Sequence, residues 1–302
     1  LTYDSFTDII GYLNSNMKTI DIKDAHLEFK KYLSENKRSL STIVAYGKDI
    51  EQLVSFLKEL SRSNVHDVTK EDIEAFLSKM TKNGYTPKSI SRKLNSTRTF
   101  YRFLKANEYV ADDPSLLVAH PKYQLGAPRI LTPTEYRALR DAARNDSRMF
   151  AVIELLLQTG IRIGELASLK LSDIQKDKLH IAAIEKHEER MVFLNPRAQE
   201  ALNKYLEIRP KATSEHLFIT KSGKPFLIRN IRTAVERYFR LAEIKNAKVN
   251  DLRHTFVAHH LKHGVSLVLI SKALGHKKIS TTERYLEYIK DRAKENNIFN
   301  EL

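Results

Sequence analysis

A chain of 302 residues that is 42% hydrophobic and 29% charged has the composition of a globular protein large enough for two domains of roughly 150 residues each. Its 51 lysines and arginines against 37 aspartates and glutamates leave a formal charge of +14, a balance that favours polyanionic partners such as nucleic acid or an anionic lipid surface. With no cysteine there is no disulfide framework, thiolate zinc site or thiol nucleophile, and the nine scattered glycines assemble neither a GxxxxGKS/T phosphate loop nor a GxGxxG dinucleotide turn.

No apolar run approaches the ~18 residues that span a bilayer, and Asp4 and Asp8 do not suit the basic start of a signal peptide. No membrane partner is expected, and the cytoplasm is the expected compartment. Residues 1–20 read as a leading segment at the start of a first domain, 1–112. From Asp21 to Asn107 the apolar residues recur at helical spacing, as in Ile43, Tyr46, Ile50, Leu53 and Leu57, and then Ile73, Phe76, Leu77 and Met80. This spacing predicts a bundle of about four helices. Thr69 with Asp72 forms a capping pair, and Thr86-Pro87 places proline in a first helical turn.

Between Lys82 and Asn107 there are seven basic residues, Lys82, Lys88, Arg92, Lys93, Arg98, Arg102 and Lys105, and no acid. On a helix, Lys88, Arg92 and Arg102 fall on one side, away from the stripe of Ile90, Leu94, Tyr101 and Leu104. The segment is read as a cationic flank for DNA phosphates; standing alone it would equally be a solvated face of a lysine-rich protein.

Residues 113–130, with three prolines and a glycine and no sustained period, are predicted to be a linker, followed by a second domain over 131–302. A helix start at Thr132-Pro133-Thr134-Glu135 opens it, with helices over Glu135–Ala143 and Phe150–Gln158. Leu179–Ile184 and Arg190–Leu194 read as a hairpin around the charged tip Glu185–Glu189. Helices follow at Pro196–Leu206, Ile228–Ala242, Asp251–Lys262, Leu267–Leu274 and Thr281–Lys290, the last with Ser280 and Glu283 as a capping box. The expected fold class is mainly α with a small β-hairpin or sheet in the C-terminal domain.

Four separated pieces of the second domain carry side chains suited to phosphoryl transfer: Thr159-Gly160-Ile161-Arg162-Ile163-Gly164-Glu165-Leu166, then Lys186, then Asp251-Leu252-Arg253-His254, and Leu274-Gly275-His276 followed nine residues on by Tyr285. A guanidinium stays charged and gives two parallel hydrogen bonds to the non-bridging oxygens of a phosphate. A phenol, with a pKa near 10, is a weak nucleophile at neutral pH unless nearby cations stabilise the phenolate. Read singly, Arg162 and Glu165 would be a surface ion pair, Lys186 a solvated turn lysine and Tyr285 an amphipathic-helix residue. His259 and His263 lie four apart, but no HExxH motif or acidic ligand cluster accompanies them, so no metal and no cofactor is expected.

In this order the pieces resemble the tyrosine recombinase and integrase family, especially its short Xer-like members, over nearly the whole chain. The segment at 159–166 matches TG-x-R-x-x-E-L, Leu274-Gly275-His276 matches LGH, and the nine-residue spacing selects Tyr285 over Tyr288. Two places depart from the pattern. Glu185 replaces a glycine of the GKGxK-x-R hairpin tip, with one residue fewer between Lys186 and Arg190, and Asn250 stands where H-x-x-R-H begins with histidine.

The resemblance implies the family's two-domain architecture, a helical core-binding domain and a catalytic domain forming a C-shaped clamp on double-stranded DNA at a specific recombination site. It implies Arg162, Arg253 and His276 as phosphate ligands, Glu165 orienting them, Lys186 as general acid, and Tyr285 as nucleophile. Asn250 could donate a hydrogen bond but not shuttle a proton, which implies slower chemistry, a substitute base or water. His254, about 100° around the helix from Arg253, is not expected to substitute. The implied activity is strand exchange through a 3′-phosphotyrosyl link and a Holliday junction, for chromosome dimer resolution or for integration and excision of a mobile element. The implied assembly is a homo-tetramer on two sites, monomer or dimer off DNA, nucleoid-associated, with the tail 293–302 docking through Ile298, Phe299 and Leu302 on a neighbour. A type IB topoisomerase-like relaxing enzyme and a catalytically impaired DNA-binding regulator are the competing readings.

Overall fold

Four amphipathic helices, Ile22–Glu35 (α1), Leu40–Glu59 (α2), Lys70–Lys82 (α3) and Pro87–Ala106 (α4), open the computed structural model, which describes residues 18–123, 126–184 and 188–287. The residues before 18, Lys186 of the predicted hairpin tip, Tyr288 and the tail 293–302 lie outside the described residues. The chain divides into two compact units, Leu1–Leu125 and Gly126–Leu302.

Each helix of the first unit starts at a polar cap. The Asp21 carboxylate accepts from the Lys23 N–H, Ser39 from Thr42, and Thr86 from Ser89, while Thr69 and Asp72 complete a reciprocal box. Such caps contribute about 1 kcal/mol each by satisfying amides that the first turn leaves open. The helices bury Phe29, Ile50, Leu53, Phe76, Leu94, Phe100, Tyr101 and Leu104 in one core. The region predicted as linker begins with structure. Asp113 caps a short 3-10 turn, Pro114–Leu117, Ser115 and Val118 are buried, and Arg98 donates to the Ser115 and Val118 carbonyls.

One predicted DNA contact needs correction. Lys93 is 1% exposed and its ammonium bonds Asp49 at 3.0 Å and also Gln52, so it belongs to a buried polar network with Arg92 and Ser96 and is not available to a phosphate. Its neighbours on the helix, Ile90, Leu94 and Thr97, are buried as well, and the buried carboxylate of Asp49 is what a cation at this position answers. Lys82, Lys88, Arg102 and Lys105 are exposed; Arg92 and Arg98 are part-buried and already engaged by Asp49 and by the two carbonyls.

The second unit holds Pro133–Ala143 (α5), Ser147–Thr159 (α6), Ile163–Ser168 (α7), Ile174–Gln175 (β1), Lys178–Ile181 (β2), Arg190–Phe193 (β3), Pro196–Ile208 (α8), Ile228–Leu241 (α9), Val249–Lys262 (α10), Leu267–Leu274 (α11) and a helix over 280–287 (α12). The strands form an antiparallel sheet in the order β1-β2-β3, with Leu179 opposite Val192 and Ile181 opposite Arg190. The hairpin is therefore joined by a third strand, β1, whose two residues are too short to carry an alternating pattern. Helix α6 is buried on nearly every side, from Ala151 to Leu157, and packs against α8 and α10. The helix over 280–287 starts at Ser280, the predicted cap and one residue before the predicted first position Thr281, with the Glu283 N–H donating to the Ile279 carbonyl. Among the described residues, no helix is long and apolar enough to cross a membrane.

Candidate active site

The site is assembled where two left-handed chain reversals and the start of α7 meet. Gly160 ends α6 in the left-handed region at φ 63°, and a Cβ there would stand 2.6 Å from Phe256 and 2.8 Å from Leu274. Only glycine fits both the backbone and the space. The Gly160 carbonyl thereby accepts a hydrogen bond from Arg253 Nη1 at 2.6 Å. Two residues on, Arg162 sits just before α7, its N–H donating to Glu165 Oε2 at 2.8 Å and its Nη1 to Glu165 Oε1 at 3.0 Å.

The second reversal is Gly275, at φ 62°, which ends α11 and leaves the Leu274 carbonyl without a helical partner. Arg162 Nη1 and Arg253 Nη2 both donate to that oxygen, at 3.2 and 2.9 Å. Arg253 Nη2 also lies 2.9 Å from His276 Nε2, and His276 Nδ1 faces Thr282 Oγ1 at 2.8 Å. Arg162 and Arg253 thus meet at one carbonyl oxygen, and His276 joins them through Arg253, although the three span 114 residues from first to last.

The electrostatics are lopsided. Arg253 is 6% exposed, and among the described residues no carboxylate forms an ion pair with it. Burial, with the Arg162 charge adding to it, holds this guanidinium down to about 9, which still leaves it a cation at neutral pH. A buried cation satisfied mainly by carbonyls favours an arriving anion, because the anion offsets a desolvation cost already incurred. Glu165 behaves oppositely. Burial pushes its carboxyl up, but hydrogen bonds from Arg190 and the Arg162 backbone, with both arginine charges, outweigh it and bring the value down to about 2.

Two residues outside the predicted set belong to the site. Arg190, on β3, grips Glu165 with both terminal nitrogens at 3.0 and 2.8 Å, and its Nε donates to the Ala273 carbonyl at 2.7 Å. Glu165 is therefore shared between Arg162 and Arg190, and the hairpin is tied to the turn at Gly275. The signal in the sequence was a second cation in the hairpin, Arg190, at the end of the hairpin-tip pattern.

The second is His254, and it reverses an expectation. Its Nδ1 lies 2.5 Å from the Tyr285 hydroxyl, and its Nε2 lies 2.7 Å from Asn250 Nδ2. Asn250 itself is exposed. Tyr285 is 8% exposed and packs with Phe256, Val257, Ile270 and Leu274. Burial raises its phenol above the ordinary value, with the charges of Arg253 and Arg284 opposing that rise.

With this geometry in place, comparison with known proteins is informative. Residues 129–292 match the phage integrase family, and residues 27–108 match the phage integrase N-terminal SAM-like domain. The chain is 34% identical over 277 residues to tyrosine recombinase XerD of Caulobacter vibrioides, covering 87% of this chain and 90% of that protein. It is 30% identical over 271 residues to tyrosine recombinase XerC of Roseiflexus castenholzii, covering 85% and 86%. Lambda integrase shares the fold, both as a dimer bound to a COC′ core site (TM-score 0.75, 18% identity, 92% of this chain and 80% of that one) and as a tetramer bound to a Holliday junction (TM-score 0.73, 19% identity, 89% and 81%). The chain belongs to the phage integrase family and is a tyrosine recombinase, an enzyme that breaks and rejoins DNA in site-specific recombination.

Proposed function

We propose that this chain exchanges DNA strands at a specific duplex site, with Tyr285 as the nucleophile and Arg162 and Arg253 as the clamp on the scissile phosphate. The observation that carries this reading is the pair of guanidiniums meeting at the Leu274 carbonyl, one of them buried with no carboxylate ion pair among the described residues. Charge on the non-bridging oxygens grows toward the transition state, and preorganised donors that need not reorient stabilise it there more than in the ground state. Tyr285 attacks phosphorus to form a 3′-phosphotyrosyl link, and Lys186 protonates the departing 5′ oxygen. The freed 5′ hydroxyl then attacks the corresponding link in a partner duplex, through a Holliday junction. The bond energy is retained in the covalent link, so no nucleotide hydrolysis is required.

The working assembly in this reading is a homo-tetramer on two sites, monomeric or dimeric off DNA, acting in the cytoplasm at the nucleoid and serving either chromosome dimer resolution or a mobile element. Exposed Lys82, Lys88, Arg102 and Lys105 supply phosphate contacts that position the duplex without reading its sequence. A nicked target duplex is expected to trap a covalent adduct with the native chain and none with Tyr285→Phe, and equal yields would remove Tyr285 from its role. Arg253→Ala is expected to lose the adduct while keeping salt-sensitive binding. Strand exchange between two labelled duplexes separates recombination from relaxation alone, and an absence of adduct from the native chain would favour a DNA-binding regulator.

A further inference from the structure

A phenol attacking a phosphate must give up its proton, and at neutral pH only about one phenol in a thousand has done so beforehand. Burial makes the phenolate of Tyr285 rarer still. The position where this family pattern has a histidine holds Asn250, whose amide cannot take a proton. The group that touches the Tyr285 oxygen is instead His254, through Nδ1 at 2.5 Å, with the two rings 5.6 Å apart between centroids. We propose that His254 is the catalytic base that takes the proton of Tyr285, and that Asn250 is a positioning residue that sets the histidine's tautomer through Nε2. This rests on Tyr285 being the nucleophile and adds a residue that the reading above leaves without a role.

The step balances. As the bond from Tyr285 Oη to phosphorus forms and the bond from phosphorus to the 5′ oxygen breaks, the phenol proton passes to His254 Nδ1, and the departing oxygen takes a proton from the general acid. On rejoining, the proton held at Nδ1 returns to the phenol as it leaves. For Nδ1 to accept, the ring proton must be on Nε2, and the group facing Nε2 must accept it. The Asn250 amide fills the same space either way round, so turned with Oδ1 toward Nε2 it provides that acceptor at the same 2.7 Å. Once Nδ1 has taken the phenol proton both ring nitrogens carry hydrogen, so Oδ1 still accepts from Nε2–H while Nδ1–H holds the phenolate oxygen. The amide serves both states in the same orientation and does not itself titrate.

Burial is what favours a neutral ring. Burial holds the His254 imidazole below its ordinary range, and Arg253 works in the same direction, while Asp251 works against them. From the facing helix the groups are Tyr285 itself and Arg284, whose charge bears on the phenol.

The test is single-turnover adduct formation by the full chain on a nicked duplex, comparing the native protein with His254→Gln, His254→Ala and Tyr285→Phe, with duplex binding measured at the same salt. His254→Gln is expected to slow cleavage by about 100-fold or more with binding intact, the range typical of a lost general base. In the native chain the rate should rise with pH through a titration below the usual imidazole value and then level off, and that limb should vanish in His254→Gln. Added imidazole should restore part of the rate to His254→Ala, which it could not do for a misfolded chain. Replacing the 5′ oxygen by sulfur, whose departure needs no acid, should leave the His254→Gln defect in place. Cleavage by His254→Gln within about threefold of native, or a slower rate with an unchanged pH profile and no response to imidazole, overturns the proposal. If Tyr285→Phe gives no adduct in the same experiment, the nucleophile stands while His254 falls; if it still gives one, the underlying reading fails instead.

Discussion

The Glu165 carboxylate is the joint between Arg162 and Arg190 in the proposed phosphate clamp, and Glu165→Gln isolates it. In the folded chain its pKa falls from 4.5 to about 2. At about 1.4 kcal/mol per tenfold change in proton affinity, this corresponds to roughly 3 kcal/mol of stabilisation. The group is 3% exposed, so solvent screening removes little of it. Because the folded pKa is depressed, the contribution is fully present above about pH 4.5 and disappears as the pH falls through about 2. Linkage leaves about 1.4 kcal/mol of it at pH 3. Glutamine keeps the shape but not the charge, leaving Arg162 and Arg190 without their shared anion. The unfolding transition of the second unit should therefore fall by about 6–12 °C at pH 7, taking about 2–4 °C per kcal/mol for a unit of this size. Thermal unfolding followed by circular dichroism from pH 7 to pH 3 measures the gap between native and variant, a difference in which the other carboxylates cancel. The gap should narrow by about half at pH 3. A gap that stays constant over this range, or none at pH 7, would refute the assignment of Glu165 as a buried anion shared by two arginines.

Gly160→Ala places a methyl 2.6 Å from Phe256 at a left-handed φ, and urea unfolding should show a loss of roughly 2–4 kcal/mol from overpacking and backbone strain together. Lys93→Met should cost about 3 kcal/mol by leaving Asp49 short of a cation, with no change in the salt dependence of DNA binding. Lys88→Ala or Arg102→Ala should do the reverse, leaving stability alone and lowering the slope of log affinity against log salt by about 1 each. Asn250→Leu should slow adduct formation by about 3–10-fold, the worth of one hydrogen bond to Nε2 that water partly replaces at an exposed position, and a rate equal to native would separate Asn250 from the ring behind Tyr285.

What could be read from the chain alone was whatever neighbouring residues decide between themselves. The caps at Thr69 and Asp72 and at Thr132 and Glu135, and the proline after Thr86, act within one turn, and the structure contains all three. Lys93 shows the limit. A helical pattern sorts residues by type and so places a lysine on the outer face, whereas its burial depends on Asp49, 44 positions earlier and on a different helix. The 3-10 turn at Pro114–Leu117 is hidden for the same reason, since Arg98 on α4 holds its carbonyls. In the site, contiguous motifs named Arg162, Arg253 and His276, but the oxygen at which the two arginines meet belongs to Leu274, a residue with no chemistry of its own, open to them only because Gly275 breaks the helix.

Helix geometry argues against His254 on a sound premise, yet the structure places its imidazole beside the Tyr285 hydroxyl. Consecutive residues on a helix do point about 100° apart, so His254 cannot share the phosphate with Arg253 in the manner of a residue three positions away. The inference assumed that everything reactive lies on one face of α10. The left-handed turn at Gly275 instead sends the chain on to α12, whose Tyr285 approaches the neighbouring face of α10 and meets the imidazole there. In the proposed reaction two adjacent residues then divide the work. Arg253 faces the Gly160 and Leu274 carbonyls and His276, where a phosphate's charge is needed, and His254 faces the phenol, where a proton must leave. Since both side chains ride on one turn of one helix, any displacement of α10 relative to α12 separates the imidazole from the phenol, and any displacement relative to α11 loosens the arginine from the Leu274 carbonyl. Activity of this site therefore depends on the packing around Phe256, Val257 and Leu274 as directly as on the charged groups themselves.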